Sequence, residues 1–402
     1  MGSQRRDRVV LASAVWAVLV SQVLLYPGVS DLVAALGASG DLDAGMYFLV
    51  AEFVAFVLFA PVWGALSDTL GRRIPLVVVG ALGGAASYLT LALAPGLGLP
   101  FAATLAIRAV GGAFTIGAFS LSISMLSDLS GGHGRNMGAA GIAIGLGAAL
   151  GSVVGGRLTV ADPLAPVVAA AGTLVVVAGL LATVTDRATQ SDDADVGRAL
   201  GRLTDRPALL VPFAFGFIDR MTAGFFALVG VYYFRETFGL DAAGAGAVLA
   251  AFFLPFALCQ YPAGILSDRV GRFVPVVVGS LCYGLTIVGV VAAPTLLLAV
   301  AAMALVGVAG ALVAPATMAL VTDVADSDER GAALGGFNVF GSLGFLTGFL
   351  LGGAATEAAG YVPAFLVVGG AEITIAIVAS RAVKRLSDET ILSQGSVPIG
   401  DD

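Results

Sequence analysis

The feature that most limits what this chain can fold into is a run of 50 residues without a charge, from Phe273 to Thr322. Similar apolar stretches recur from one end of the chain to the other. A soluble domain has no surface with which to cover so much apolar material, whereas lipid tolerates it. About 20 helical residues cross the hydrocarbon core of a bilayer. The long run is therefore two spans, with Pro294 marking the turn between them, and Ile74 to Ile107 divides in the same way at Pro95-Gly96. Applied along the whole chain, this reasoning predicts an all-α membrane protein of twelve transmembrane helices. The spans fall near 9–30, 44–67, 74–94, 99–127, 136–158, 163–185, 208–234, 242–267, 273–293, 295–322, 332–355 and 361–381.

Composition narrows the function classes. Charged residues make up 12 % of the chain and the mean hydropathy is +0.98, against about 25 % charged in soluble domains. Arg5, Arg6 and Arg8 precede an apolar run from Val9 to Ser30, 22 residues long. That exceeds the apolar region of a signal peptide, so the run is read as the first span. Cys259 and Cys282 lie inside apolar runs, and the single His133 sits in a polar Gly-rich stretch. This leaves no disulfide framework and no metal-ligand spacing. No basic patch points to nucleic acid, and no G-x-x-x-x-G-K-[ST] loop points to ATP. No cofactor is expected.

The basic residues set the orientation. With the N-terminus inside, Arg5, Arg6, Arg8, Arg72, Arg73, Arg135, Arg187, Arg198, Arg202, Arg206, Arg269, Arg272, Arg330, Arg381, Lys384 and Arg385 fall in inside segments, and only Arg157 and Arg235 fall outside. Positive residues favour the cytoplasmic side. An even number of spans, with both termini in the cytoplasm, follows.

The chain also repeats. Gly64-Ala65-Leu66-Ser67-Asp68 returns as Gly264-Ile265-Leu266-Ser267-Asp268, and Gly71-Arg72 as Gly271-Arg272, at an offset of 200. Gly147, Gly151, Gly155 and Gly156 return as Gly344, Gly348, Gly352 and Gly353, at an offset of 197. Two six-span halves are expected, at 1–185 and 208–385. A polar linker at 186–207 joins them, and a disordered tail occupies 386–402.

The loop after span 2 resembles the signature of the major facilitator superfamily, G-x-L-x-D-x-x-G-R-R/K. It reads Gly64, Leu66, Asp68, Gly71, Arg72, Arg73. The second copy reads Gly264, Leu266, Asp268, Gly271, Arg272 and departs at Phe273. Within the superfamily, the sequence looks like the twelve-helix drug:proton antiporters. The resemblance implies a latch: Asp68 bonds to Arg72 and to the start of span 11 near Gly331, and Asp268 faces the start of span 5 near Asn136. Such contacts favour an outward-facing state. Span 5 resembles the antiporter motif G-x-x-x-G-P-x-x-G-G, with Ser152 in place of its Pro. Glycines recurring every four residues line one helix face and admit a close neighbour, expected here from the opposite half. Span 4 resembles the family pattern R-x-x-Q-G at Arg108 and Gly112, with Gly111 in place of Gln.

Charges inside spans are costly unless paired or hydrated, and they are the candidate coupling residues. Arg108 lies about 13 Å from the outer end of its span at 1.5 Å per residue, so it needs a polar cavity or an acidic partner. Glu52 is read as an isolated carboxylate able to take up and release a proton. Asp219 and Arg220 are adjacent and point about 100° apart, so at least one needs a partner on another helix. Asp31 sits near the outer end of span 1. Asp219, Glu52 and Asp31 are the candidate proton or cation sites, with Arg108 and Arg220 either tuning them or serving as anion contacts. The competing reading for these charges is a static ion pair that holds helices together. Glu372 is set apart, because span 12 is peripheral in the superfamily and its carboxylate there snorkels or pairs structurally. Phe213, Phe217, Phe225, Phe226, Tyr232 and Tyr233 crowd span 7, either lining a substrate cavity or packing. Tyr26 and Pro27 mark a bend in span 1.

The function expected from this reading is export of a small apolar or cationic compound by proton-coupled alternating access, as in multidrug efflux. Proton-coupled uptake or metabolite transport on the same fold is the alternative. A monomer in the cell membrane is expected, with the bilayer, protons and the transported compound as its partners. An enzyme would need a nucleophile–base pair or a metal cluster at the midplane, which the sequence lacks.

Overall fold

The computed structural model describes residues 2–129, 133–184, 186, 206–326 and 330–395. Most of the expected linker, and residues 396–402 of the expected tail, lie outside them. The described chain is helical throughout: α1 (Gly2–Val23), α2 (Val29–Ala35), α3 (Leu42–Leu70), α4 (Ile74–Leu93), α5 (Phe101–Ser127), α6 (His133–Ala161), α7 (Ala165–Leu181), α8 (Pro207–Phe238), α9 (Ala242–Val270), α10 (Val274–Ala292), α11 (Leu296–Val324), α12 (Arg330–Ala359) and α13 (Tyr361–Gly395). Ten of these are long and apolar enough to cross a membrane by themselves, and α7 is a shorter apolar helix.

The first span is the one that departs in form. It is broken into α1 and α2 at Leu24–Gly28, so span 7, for example, is α8. Pro27 has no N–H and its ring crowds the preceding turn. The chain meets it with tighter turns, Leu25 N–H to the Gln22 carbonyl at 3.1 Å and Tyr26 N–H to the Val23 carbonyl at 3.2 Å. At the other end α13 runs on to Gly395. The sequence reading ended regular structure at Arg385, so the helix enters the stretch expected to be an irregular tail.

The two halves pack alike. In the first, α5 lies against α3 and α4, α4 against α7, and α1 against α6. In the second, α11 lies against α9 and α10, α10 against α13, and α8 against α12. Between halves, α6 runs along α9 and α3 along α12.

The glycine stripes explain these contacts and correct one expectation. A Cβ at Gly147 would meet Trp16, one at Gly151 would meet Val23, and one at Gly155 would collide with the Leu24 backbone, all on α1 or at its end. This stripe faces its own half, not the opposite one. Gly344, Gly348 and Gly352 face Phe217, Met221 and Phe225 of α8 in the same way. Only the last glycine of each set reaches across, Gly156 to Ala242 of α9 and Gly353 to Met46 of α3.

At the face bearing the α2–α3 turn, polar contacts seal the halves together. Arg235 Nη1 donates to Asp31 at 2.7 Å and to Ser30 Oγ at 2.5 Å. The Tyr232 hydroxyl donates to the Asp41 carbonyl at 2.7 Å. These hydrogen bonds join the halves at one face, which is called the outer face below. Deeper in, Phe53 of α3 stacks on Phe345 of α12 with ring centroids 4.6 Å apart.

Candidate transport site

The charges inside the spans fall into two groups, one in each half. In the first half, Arg108 of α5 pairs with Glu52 of α3 through Nη2 and Oε2, with side chains 2 % and 0 % exposed. Gly112, one turn beyond Arg108, brings the two helices together: a Cβ there would come 2.6 Å from the Glu52 carbonyl oxygen. The guanidinium lies 5.0 Å from the Phe48 ring centre and 5.1 Å from that of Tyr88, within cation–π range. The Tyr88 hydroxyl in turn donates to the Ser21 carbonyl at 3.0 Å. Glu52 is therefore not the isolated carboxylate expected. Its counter-ion is fixed against it by packing, and Arg108 has the acidic partner that its depth requires.

The second group is built on α8. Asp219 has a side chain 8 % exposed, and its nearest cation is Arg220 Nε at 3.8 Å, the long end of ion-pair range. Arg220 is 39 % exposed and leans on Gly341 of α12, whose Cβ would stand 3.2 Å from the Arg220 Cγ. One turn beyond Asp219, Thr222 Oγ1 donates to Glu372 Oε1 of α13 at 3.1 Å. Glu372 is fully buried and neither snorkels nor sits apart. It is drawn inward because α13 and α10 touch at glycines: a Cβ on Gly284 would come 2.5 Å from the Gly369 carbonyl.

Asp31 belongs to neither group. It is the outer-face partner of Arg235, a residue that the sequence reading left as one of two outside arginines. The aromatic side chains of α8 pack: Phe225 meets Phe226 and Phe365 edge-on, and Phe213 lies against Phe337 and Phe340.

The latch residues stand apart in this conformation. Asp68 is exposed and has no hydrogen bond or ion pair among the described residues; the expected bond from Arg72 is not made. Asp268 takes Arg272 Nη1 at 2.6 Å on its own half. The side chain of Asn136 and the surroundings of Gly331, the expected partners, lie outside what is described. The repeat also maps differently from the sequence offset. Arg73 bonds to Asp128 at the end of α5, and its N–H meets Asp186 at 3.0 Å. Arg272 bonds to Asp323 in the last turn of α11 at 2.8 Å, and its N–H meets Ser387 at 3.3 Å. In its contacts Arg272 matches Arg73, not Arg72, so the basic residue that the second copy lacks is the counterpart of Arg72. Gly64 and Gly264 have little around them, whereas Gly71 and Gly271 take φ of 60° and 81°, a region that glycine enters without steric cost.

Two six-helix halves, a paired loop signature and buried charges inside the spans point to one family, and residues 11–234 and 213–395 match its model: the Major Facilitator Superfamily. The chain belongs to this superfamily. It is similar to the class G tetracycline resistance protein of Vibrio anguillarum, at 30 % identity over 81 % of this chain and 84 % of that one. The fold is shared with a bacterial homologue of the human lysosomal transporter Spinster in an inward-facing, unoccupied conformation. That likeness has a TM-score of 0.77 and 14 % identity, and covers 97 % of this chain and 98 % of that one. It is shared also with the human organic anion transporter MFSD10, at a TM-score of 0.71 and 21 % identity over 93 % and 99 % of the two chains. The superfamily fold is thus that of a multi-pass membrane transporter for small molecules, not of an enzyme.

Sequence reading missed Thr222, Ser280 and Tyr232 as polar residues of consequence. The available signal was spacing: Asp219 with Thr222, and Ser280 with Tyr283, each lie three apart and so share a helix face.

Proposed function

We propose that this superfamily member exports a small apolar or cationic compound in exchange for protons, alternating between a state closed at the outer face and one closed at the opposite face. The observation that carries the reading is Asp219, a carboxyl group buried in α8 whose only cation among the described residues is a half-exposed arginine at the edge of contact range. A carboxyl group held in a dry helix interface carries a proton at less cost than a charge. Exposing it to one side and then the other couples proton movement to the conformational cycle. Assigning the arginine-rich face to the cytoplasm makes the present conformation inward-facing, with both termini in the cytoplasm of a cell whose plasma membrane holds the protein. Asp68 and Asp268, which bond to no described residue of the opposite half, are the groups that would latch the other state. The resemblance to a tetracycline resistance protein favours export, because a membrane transporter confers resistance by removing the compound. Proton-coupled uptake is the second reading, favoured by the fold shared with an organic anion transporter.

Proteoliposomes loaded with a lipophilic cationic dye test this. On acidifying the outside, an antiporter speeds dye loss, whereas a symporter holds dye inside. Asp219→Asn should abolish the response to the pH gradient while leaving dye binding intact. Wild-type coupling in that variant removes Asp219 as the proton carrier.

A further inference from the structure

Glu372 is buried where three helix faces meet, and nothing in the account above uses it. From α8 come Asp219 and Thr222; from α10 come Ser280 and Tyr283; from α13 comes Glu372 itself. Glu372, Thr222 and Ser280 are all fully buried, and Tyr283 is 1 % exposed. The Gly284–Gly369 contact clamps α10 to α13 at this level, so the cluster sits in a fixed frame. At about 1.5 Å per residue from Tyr361, Glu372 lies some way into the membrane from the outer face.

The partners of this carboxyl group differ in kind from those of Glu52. Glu52 is locked to a guanidinium, which has donors only. Glu372 is surrounded by hydroxyls, each of which can either donate or accept. Its Oε1 takes the Thr222 hydroxyl at 3.1 Å, yet the same hydroxyl has a second acceptor, the Ile218 carbonyl, at 3.2 Å. Among the described residues its Oε2 and Ser280 Oγ each lack a hydrogen bond of full geometry, yet the two groups lie close enough to interact. This pocket satisfies both forms of the acid. When ionised, Glu372 accepts from Thr222 and Ser280. When protonated, it donates from Oε2 to Ser280 Oγ, and Thr222 turns to Ile218. The other titratable groups that act on it are Asp219 on α8 and Tyr283 on α10, and Arg220 acts in turn on those two. Asp219 lies three residues before Thr222 on the same face of α8, and Thr222 bonds to Glu372, so the two carboxyl groups share one neighbourhood in which one charge disfavours the other.

We propose that Glu372 is the inner member of a proton-binding pair with Asp219, seated in a hydroxyl-lined pocket between α8, α10 and α13. Asp219, beside the exposed Arg220, exchanges with water. As the O–H bond on Asp219 breaks, its proton passes to a hydroxyl or water between the carboxyl groups, that carrier gives up a proton to form the O–H bond on Glu372, and the proton returns by the same path. The proposal rests on the proton-coupled reading above and assigns its second carboxyl group.

The test needs no transported compound. Reconstituted full-length protein is taken through a pH step, and infrared difference spectra are recorded with and without 13C-labelled glutamate. We expect a protonated-carboxyl C=O band that responds to pH, shifts on glutamate labelling, survives Glu357→Gln at an exposed site and vanishes in Glu372→Gln. Should Glu372→Gln fail to fold, Ser280→Ala serves: loss of the hydroxyl acceptor should move the same band. Absence of a glutamate-sensitive band, a band untouched by these variants, or a band that follows sodium at fixed pH overturns the proposal. A band that behaves as expected, in protein that moves no dye under a pH gradient, sinks the export reading and leaves the pair intact. Dye driven normally by Glu372→Gln but not by Asp219→Asn sinks the pair and leaves the export reading.

Discussion

Arg108 and Glu52 show what a single buried contact is asked to do. Both side chains are out of water, so each ion has given up its hydration for the other and for the aromatic rings around it. Removing one partner leaves the other charged and alone, a loss of about 3–5 kcal/mol for a buried pair. Glu52→Gln and Arg108→Gln should each lower the melting temperature of the detergent-solubilised protein sharply. The double variant should regain much of the loss; equal melting in all three would show that the pair is not closed. The two charges are plain in the sequence, and the need of Arg108 for an acid could be argued from depth alone. That Glu52 is that acid could not, because the pairing depends on how closely α5 approaches α3 at Gly112. Glu372 was undervalued for the converse reason: its helix is peripheral, and only the crossing at Gly284 and Gly369 turns its side chain inward.

At the scale of helices, glycine does two different things. Gly155 is pressed against the Leu24 backbone, whereas Gly172 and Gly179 have nothing within 4 Å of where a Cβ would stand. Gly155→Ala should therefore destabilise, since rigid backbone must move. Gly172→Ala and Gly179→Ala should be neutral or stabilise by up to about 1 kcal/mol each, as alanine does in a helix interior. Chemical denaturation in micelles separates these outcomes. The four-residue spacing of the stripes was legible, but their partner was not, because spacing gives the face and not the neighbour. Helix starts were legible only in part. Asp41 caps α3 by accepting from the Ala44 N–H at 2.9 Å, and Asp241 caps α9 through the Gly244 N–H at 2.8 Å, a further repeat at an offset of 200 that the sequence reading passed over. The hydrogen bond from Ser39, followed by that from Ala44, holds the Asp41 carboxyl below its usual range. A group depressed in this way contributes stability above its unfolded pKa and loses that contribution as the pH falls through its folded value. Asp41→Ala should cost about 0.5–2 kcal/mol at neutral pH, and the gap between variant and wild type should close in acid; a gap constant with pH contradicts the cap.

For the molecule as a whole, two similar halves meet along α6–α9 and α3–α12 and are bonded through polar side chains at one face. The number of halves and spans was legible because apolar length, arginine placement and the internal repeat are all properties of the linear chain. Which face is closed was not legible, because that is a choice between two packings of the same helices. Arg235 is the residue most exposed to that choice, since Asp31 and Ser30 hold it across the seam. Removing its charge should shift the population toward the state closed at the opposite face. The most direct measurement is a pair of spin-label distances, taken with Cys259 and Cys282 replaced by Ser. One pair, at Ala34 and Thr237, spans the outer face, and the other, at Leu70 and Val270, spans the arginine-rich face. In the Arg235→Gln variant the first distance should lengthen and the second shorten together. If the outer distance grows while the other stays fixed, or if both move in the same direction, the halves do not rock about a common centre.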